Sequence, residues 1–326
     1  MREAGDSPRR GGGGWKIALR ILVTAAFLGV LASRAKGAED VLPDDHHLRT
    51  AILLASAVLV TLIGVVLSAW RWQRVLEVFD AHIALRTLTT IYLASLFIGT
   101  VLPTTIGGDV LRVSRASSLV GSRTAFGSVA LERLTGFLVL PLIVICGFAI
   151  RPSLMDEPRS WLALLVGAIT LALLGFVVLA VGHPRLAGRF AERENWTRFI
   201  GAVHVGVDRL RREPRKAVRV MGTALLYQLS VITVFGLVFR ALDLDVPVAA
   251  VLAFVPAVLM IQVLPISISG LGVREGAIAL FLHPFGVSNA QALASGLLWF
   301  GALVVVSMLG APAFVLARRH HAEERA

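Results

Sequence analysis

Charge, cysteine, lysine and tyrosine are all scarce in this chain of 326 residues. Only 16% of the residues are charged, against about 25% in soluble domains. A single cysteine, Cys146, excludes an intrachain disulfide and leaves the redox compartment undetermined. No Cys/His pattern has metal-ligand spacing; His46-His47 and His320-His321 are adjacent pairs in loop or terminal segments and read as solvated. No stretch matches Gly-x-x-x-x-Gly-Lys-Ser/Thr, so a phosphate cradle for nucleotide hydrolysis is missing. No cofactor or metal is expected, and no catalytic residue stands out.

What the chain has instead is apolar length. Hydrophobic residues make up 56% of it and mean hydropathy is +0.78, which describes an integral membrane protein. Crossing a hydrocarbon core of about 30 Å takes about 20 helical residues. Six segments qualify: 15–32, 51–70, 124–150, 161–181, 217–239 and 291–316. Two shorter runs, 88–102 and 246–264, each lead into an interruption and read as half-crossings. Arg9, Arg10 and Lys16 ahead of the first apolar run also describe a signal peptide, but the run is long and Ala35-Lys36-Gly37 is a poor cleavage site, so an anchor is expected.

The interruptions repeat one another. "VLPTTIGGDVLR" at 101–112 and "VLPISISGLGVR" at 263–274 share Val-Leu-Pro, a Gly five residues after the Pro and an Arg nine after it. Each half of the chain, about 15–150 and 161–316, then reads as span, span, interrupted hairpin, span. If each hairpin enters and leaves on one side, each half crosses three times and the second is inverted relative to the first. The expected fold is an all-α integral membrane protein of eight membrane segments: six full crossings plus two re-entrant broken-helix hairpins. Eight full crossings are the alternative.

The net charge of +11 fits topology better than nucleic acid, because basic residues gather in alternate loops. One side would hold Arg2, Arg9, Arg10 and Lys16, then Arg71, Arg74 and Arg86, then nine basic residues between Arg185 and Lys216, and finally Arg318, Arg319 and Arg325. The other keeps Arg34, Lys36 and Arg49 beside four acids, Arg151 and Arg159, and Arg240 beside Asp243 and Asp245. This places a 1–14 tail and a 317–326 tail in the cytoplasm, flanking a 15–316 membrane domain. The basic segment 182–216, with Trp196 and Phe199, suits either a helix lying on an anionic leaflet or a solvated connector. The sequon Asn195-Trp196-Thr197 would be idle on an inner loop.

Pro103 lacks an amide hydrogen and Gly107-Gly108 permits non-helical angles, so the first hairpin is expected to unwind between Leu102 and Asp109. Pro265, Gly270 and Gly272 do the same in the second. Irregular backbone at membrane depth needs protein or a watery cavity around it. Helices restarting near Asp109 and Leu271 would aim free amides into that cavity, beside the hydroxyls of Thr104, Thr105, Ser267 and Ser269. Arg112 and Arg274 lie about a turn beyond the breaks, and a guanidinium there matches phosphate oxygens in pairs. The competing reading pairs Asp109 with Arg112 and Arg274 with Glu275 as structure. In "SVALERLTGF", Ser128, Glu132, Thr135 and Gly136 form a helical stripe that can face the bundle interior, where Glu132 would carry a proton or balance Arg112 or Arg274. Alternatively, Glu132-Arg133 is a solvated pair at the membrane surface. Gln262, and Tyr227-Gln228, are read as structural hydrogen-bonding groups.

"LPTTIGGDVLR", "LERLTGF" and "LPISISGLGVREGA", in that order, resemble the transmembrane domain of lysylphosphatidylglycerol synthases, the flippase-like or UPF0104 family, over about residues 15 to 316. The resemblance implies a bacterial cytoplasmic membrane protein that binds, and in some members translocates, lipids with anionic or charged polar headgroups. Its implied site is Pro103, Gly107, Gly108, Asp109 and Arg112, then Glu132 and Arg133, then Pro265, Ser267, Gly270, Gly272, Arg274 and Glu275. The full synthases add a soluble aminoacyl-transferase domain; the chain ends ten residues after Leu316, so that transfer is expected to be absent and the protein not an enzyme. Expected partners are a membrane lipid (phospholipid, hopanoid or polyprenyl-linked) and a lipid-modifying enzyme, with no nucleic acid; a homo-oligomer is compatible. Two other readings stay open. One is a glycosyltransferase, or its accessory subunit, using a polyprenyl-phosphate sugar, with Asp44 and Asp45 as its acids. The other is a small-anion transporter.

Overall fold

The computed structural model describes residues 47–101, 107–182, 198–264, 267 and 270–312. The first expected span, both tails, Asp44, Asp45, Trp196 and the sequon lie outside the described residues. Among the described residues the α-helices are, in order, α1 His47–Val78, α2 Leu85–Val101, α3 Gly107–Val120, α4 Ser122–Ile150, α5 Ser160–Gly182, α6 Arg198–Arg212, α7 Pro214–Ala241, α8 Val248–Gln262, α9 Val273–Leu282 and α10 Asn289–Met308. Two short 3-10 turns, Pro152–Asp156 and His283–Phe285, complete them, and no strand occurs among the described residues.

Five of these helices (α1, α4, α5, α7 and α10) are long and apolar enough to cross a membrane, and α8 is apolar but shorter. Their outer faces carry exposed Ile52, Leu59, Ile63, Leu142, Ile145, Leu173, Phe176 and Leu225, an exterior suited to lipid. Phe148, Phe235, Phe239, Phe254 and Phe281 fill the largest apolar core, between α4, α7, α8 and α9.

Helix contacts recur in matched sets. The two longest-sharing neighbours are α1 and α7; around them α2 packs on α3 as α8 on α9, α3 on α4 as α9 on α10, and α4 on α8 as α10 on α2. The α4–α8 crossing is close enough that a methyl on Gly147 would stand 2.4 Å from the backbone nitrogen of Ala253. Glycine here is what lets the two backbones touch.

At one end of the bundle Arg49 bonds Asp243 at 2.7 Å, joining the start of α1 to the turn after α7, and Arg159 donates to the Leu280 carbonyl near the end of α9 at 3.1 Å. At the other end α6 lies against the starts of α4 and α7. Ala202 of α6 sits where a methyl on Gly127 would meet it at 3.1 Å. Asp80, in the α1–α2 turn with φ of 56°, accepts from Arg209 at 2.6 Å and from Lys216 at 3.4 Å.

Two outcomes follow from these contacts. Gly147→Ala forces the α4–α8 crossing apart, and we expect a loss of about 1–3 kcal/mol in stability, read as a lower unfolding temperature in detergent; an unchanged temperature would contradict the close approach. The hydrogen bond from Lys216 and the nearby Arg209 guanidinium hold the Asp80 carboxyl below its usual range. A depressed folded value means that docking of α6 is supported above the ordinary Asp value of about 3.9 and is lost as pH falls through and below it. Protection of the α6 amides, measured as exchange relative to their intrinsic rates, should therefore fall below about pH 4, and Asp80→Asn should remove that fall.

Candidate functional site

The polar interior is organised by Glu132, fully buried on α4. One carboxylate oxygen, Oε1, accepts from Arg71 Nε at 3.1 Å and Nη2 at 2.5 Å, with Ser68 Oγ at 3.5 Å. The other, Oε2, accepts from Arg112 Nη2. Ser68, Arg71 and Trp72 stand at i, i+3 and i+4 on α1, so one helix face delivers all three to α4. Trp72 Nε1 donates to Ser128 Oγ at 2.9 Å, one turn before Glu132. The expected inward stripe of Ser128, Glu132, Thr135 and Gly136 is buried as a unit.

Aromatic rings hold the guanidinium groups flat. Arg112 lies over Trp72 at 4.3 Å and Tyr92 at 4.5 Å, and Arg71 lies over Tyr227 at 4.6 Å. Gly136 leaves the space that Arg71 fills, since a methyl there would stand 2.6 Å from Arg71 Nη1. Asp109 joins the network from the first turn of α3, accepting from Arg133 Nε and Nη2, each at 3.0 Å, and from Arg112 Nη1 at 3.4 Å.

Two adjoining cavities open beside this network. The smaller, about 280 Å³, is lined by Arg71, Tyr92, Arg133, Gly136, Tyr227 and Gln228 among others. The larger, about 460 Å³, is lined by Tyr92, Gly108, Asp109, Arg112, Arg133 and Trp299 among others. Both share Leu96, Phe137, Gln262 and Leu303, so they are continuous in their walls. Among the described residues, five buried side-chain polar atoms lack a hydrogen-bond partner: Arg71 Nη1, Arg112 Nε, Gln262 Oε1, Ser267 Oγ and Arg274 Nη1. Arg71 and Gln262 both line the smaller cavity.

The second interruption makes a different arrangement. Arg274 is fully buried and donates to Glu275 Oε1, with Nε at 2.9 Å. Its guanidinium lies over Trp299 at 4.8 Å, behind the ring that lines both cavities. Glu275 Oε2 accepts from the Gly272 amide at 2.6 Å, and Gly296 gives the carboxylate room on α10. Arg274 therefore stands among the buried residues next to the cavities and lines neither of them.

The residues expected at the site fall into three groups. Gly108, Asp109, Arg112 and Arg133 line the cavities, with Glu132 directly beneath. Gly270, Gly272, Arg274 and Glu275 build the second cluster, Ser267 is buried with its hydroxyl unpartnered, and Gly107 begins α3. Pro103, Thr104, Thr105, Pro265 and Ser269 lie outside the described residues. Gly107-Gly108 is helical, not left-handed; Gly108 is needed because a methyl would stand 2.8 Å from the Ser95 carbonyl oxygen. Gly270 and Gly272 do adopt positive φ, 75° and 82°. Arg133 pairs with Asp109 and not with its neighbour Glu132. Gln228 donates to the Gly136 carbonyl at 3.0 Å as a structural group, whereas the Gln262 oxygen accepts from nothing. In sequence Arg71 reads as a basic residue flanking a span, and its inward role is legible only in the i, i+3, i+4 grouping with Ser68 and Trp72.

Chemically, the site can hold an anion in a cleft with apolar walls. Among the described residues no cluster of His, Cys, Asp or Glu could hold a metal ion. Removing one partner of a buried ion pair leaves an uncompensated charge worth about 3–5 kcal/mol, so Glu132→Ala, which strands Arg71 and Arg112, should lower the unfolding temperature sharply. Arg133→Gln, at a half-exposed pair, should change stability by less than about 1 kcal/mol. Similar melting of both variants would contradict the central role of Glu132.

No curated protein matches the chain. The profile described as "Lysylphosphatidylglycerol synthase TM region" matches residues 17–310, nearly the whole length. An all-helical bundle with several apolar crossings, broken at two like-sequenced motifs around a buried Glu–Arg network, is thus a multi-pass membrane protein, and the chain belongs to the lysylphosphatidylglycerol synthase transmembrane-region family.

Proposed function

We propose that this protein is a lipid translocase of the bacterial cytoplasmic membrane, binding an anionic or charged polar headgroup in the joined cavities and passing it between leaflets. The observation that carries this reading is Arg71 Nη1, a buried guanidinium nitrogen with no protein partner, on a residue that lines a cavity where Arg133 and Gln262 stand among mainly apolar neighbours. A buried charged donor without a partner is destabilising unless a ligand or water satisfies it. Acyl chains would follow the apolar walls while the phosphate meets the guanidinium groups.

The same reading takes the chain as an inverted repeat with two re-entrant hairpins. It is supported by the matched helix contacts of the two halves. The hairpins are supported by their ends. Helix α2 begins beside Asp80 and α4 restarts beside α6, which also holds Asp80; α8 begins after the Asp243 turn and α9 ends against Arg159. Both termini would then be cytoplasmic, with the basic α6 on the inner leaflet. Movement would follow the membrane potential or a coupled ion, and a lipid-modifying enzyme is the partner that would supply or consume the lipid.

In vesicles reconstituted with the purified protein, we expect a fluorescent anionic phospholipid in the inner leaflet to become accessible to an external quencher faster than in protein-free vesicles. Arg133→Gln should slow this several-fold while the unfolding temperature holds. Equal rates with and without protein, for anionic lipids across a range of headgroups, would sink the proposal.

A further inference from the structure

The outer face of α7 carries a slot that shares no lining residue with the joined cavities. We propose that this slot holds a resident membrane phospholipid, with one acyl chain lying along α7 against α8 and the phosphate on Arg240.

The α7 side of the slot is one helix face: Leu229, Ile232, Thr233, Gly236, Leu237 and Arg240 recur at three- and four-residue steps. Val248, Val251 and Leu252, from the first turns of α8, close the other side, and the volume enclosed is about 290 Å³. Among the lining residues Ile232, Phe239, Leu244, Val246 and Val251 are buried and form a floor, while Arg240 and Val248 stand exposed on the rim. Gly236 keeps the slot open, since a methyl there meets nothing within 4 Å. Thr233 directs its hydroxyl to the Leu229 carbonyl at 2.8 Å. Among the described lining residues that leaves the Arg240 guanidinium as the one charged group.

Length decides between a lipid and a second protein chain. From Leu229 to Arg240 the helix rises about 16 Å, at about 1.5 Å per residue, which is about half of a hydrocarbon core of about 30 Å. The slot therefore has the depth of one leaflet. A crossing helix from a second copy would need a groove of about twice that length, and it would cover Arg240.

Charge agrees with length. Arg240 is in the last turn of α7, at the bundle end opposite α6. Asp243, three residues further on, is its nearest acid in sequence, but Asp243 bonds Arg49 at 2.7 Å. Asp245 is exposed and is not among the lining residues, although Leu244 and Val246 on either side of it are. Arg240 thus forms no ion pair among the described residues. An apolar channel one leaflet deep, ending at an unpaired guanidinium, matches a phospholipid: the chain is removed from competing contacts along the floor, and the phosphate oxygens accept from the guanidinium.

The test is photolabelling of the purified full chain in mild detergent, using phosphatidylethanolamine with a diazirine in one acyl chain, and a diacylglycerol with the same chains as the phosphate-free comparison. Labelled peptides are identified by mass spectrometry. In the wild-type protein we expect labelling of 229–252 by the phospholipid to exceed that by the diacylglycerol on the order of threefold to tenfold, the worth of one hydrogen bond to the phosphate. Arg240→Gln should bring the two probes level. Gly236→Leu fills the slot and raises the helix propensity of α7, so it should remove labelling of 229–252 by both probes while other lipid-facing segments stay labelled. Equal labelling by the two probes in the wild-type protein, or labelling of 229–252 that survives Gly236→Leu, overturns the inference. A wild-type dimer in which 229–252 takes no label assigns the slot to a second copy and overturns it as well. Each of these outcomes leaves the translocase reading where the vesicle measurement puts it, because the slot and the joined cavities have no residue in common.

Discussion

A single carboxylate shared between two guanidinium groups inside an apolar bundle is the constraint on which the rest of this protein depends. Glu132 ties α1, through Arg71, to α3, through Arg112, across α4. Charges at membrane depth persist only when paired or when facing a cavity, and here both conditions hold at once. Sharing one acid leaves each arginine under-satisfied, with Arg71 Nη1 and Arg112 Nε unpartnered.

The two interruptions solve one problem in two ways. In each, a guanidinium lies over an indole, Arg112 over Trp72 and Arg274 over Trp299. The counter-ion differs: Glu132 reaches Arg112 from another helix, while Glu275 is the neighbour of Arg274 in sequence. In the second cluster the one guanidinium is balanced by the one carboxylate, whereas in the first Arg71, Arg112 and Arg133 outnumber Glu132 and Asp109. Likeness of sequence between the motifs hides this asymmetry, since the deciding carboxylates sit outside the shared letters.

Glycine shapes the polar interior in different ways. Gly108 allows close contact with Ser95, Gly270 provides a left-handed turn against Gln262, and Gly136 makes room for Arg71. Phe137, Leu96 and Leu303 add apolar surface to the cleft.

Much of this was legible in order along the chain. Length and hydropathy determined the crossings, because a helix must satisfy its own backbone in lipid; the described spans start within a few residues of the expected ones. Helices start at Gly107, inside the stretch expected to unwind, and at Val273, and the spacing of Ser128, Glu132, Thr135 and Gly136 marked a face. Partnership was decided only in three dimensions. Arg71 reads as one more basic residue at the end of a span until α1 is laid against α4. Arg133 is adjacent to Glu132 yet faces Asp109, because neighbours on a helix point about 100° apart. Gln262 resembles any buried amide until its oxygen is found without a donor. Periodicity and composition act along one helix, and the chain can encode them locally. Pairing of charges, and the absence of a pair, depends on which helices touch.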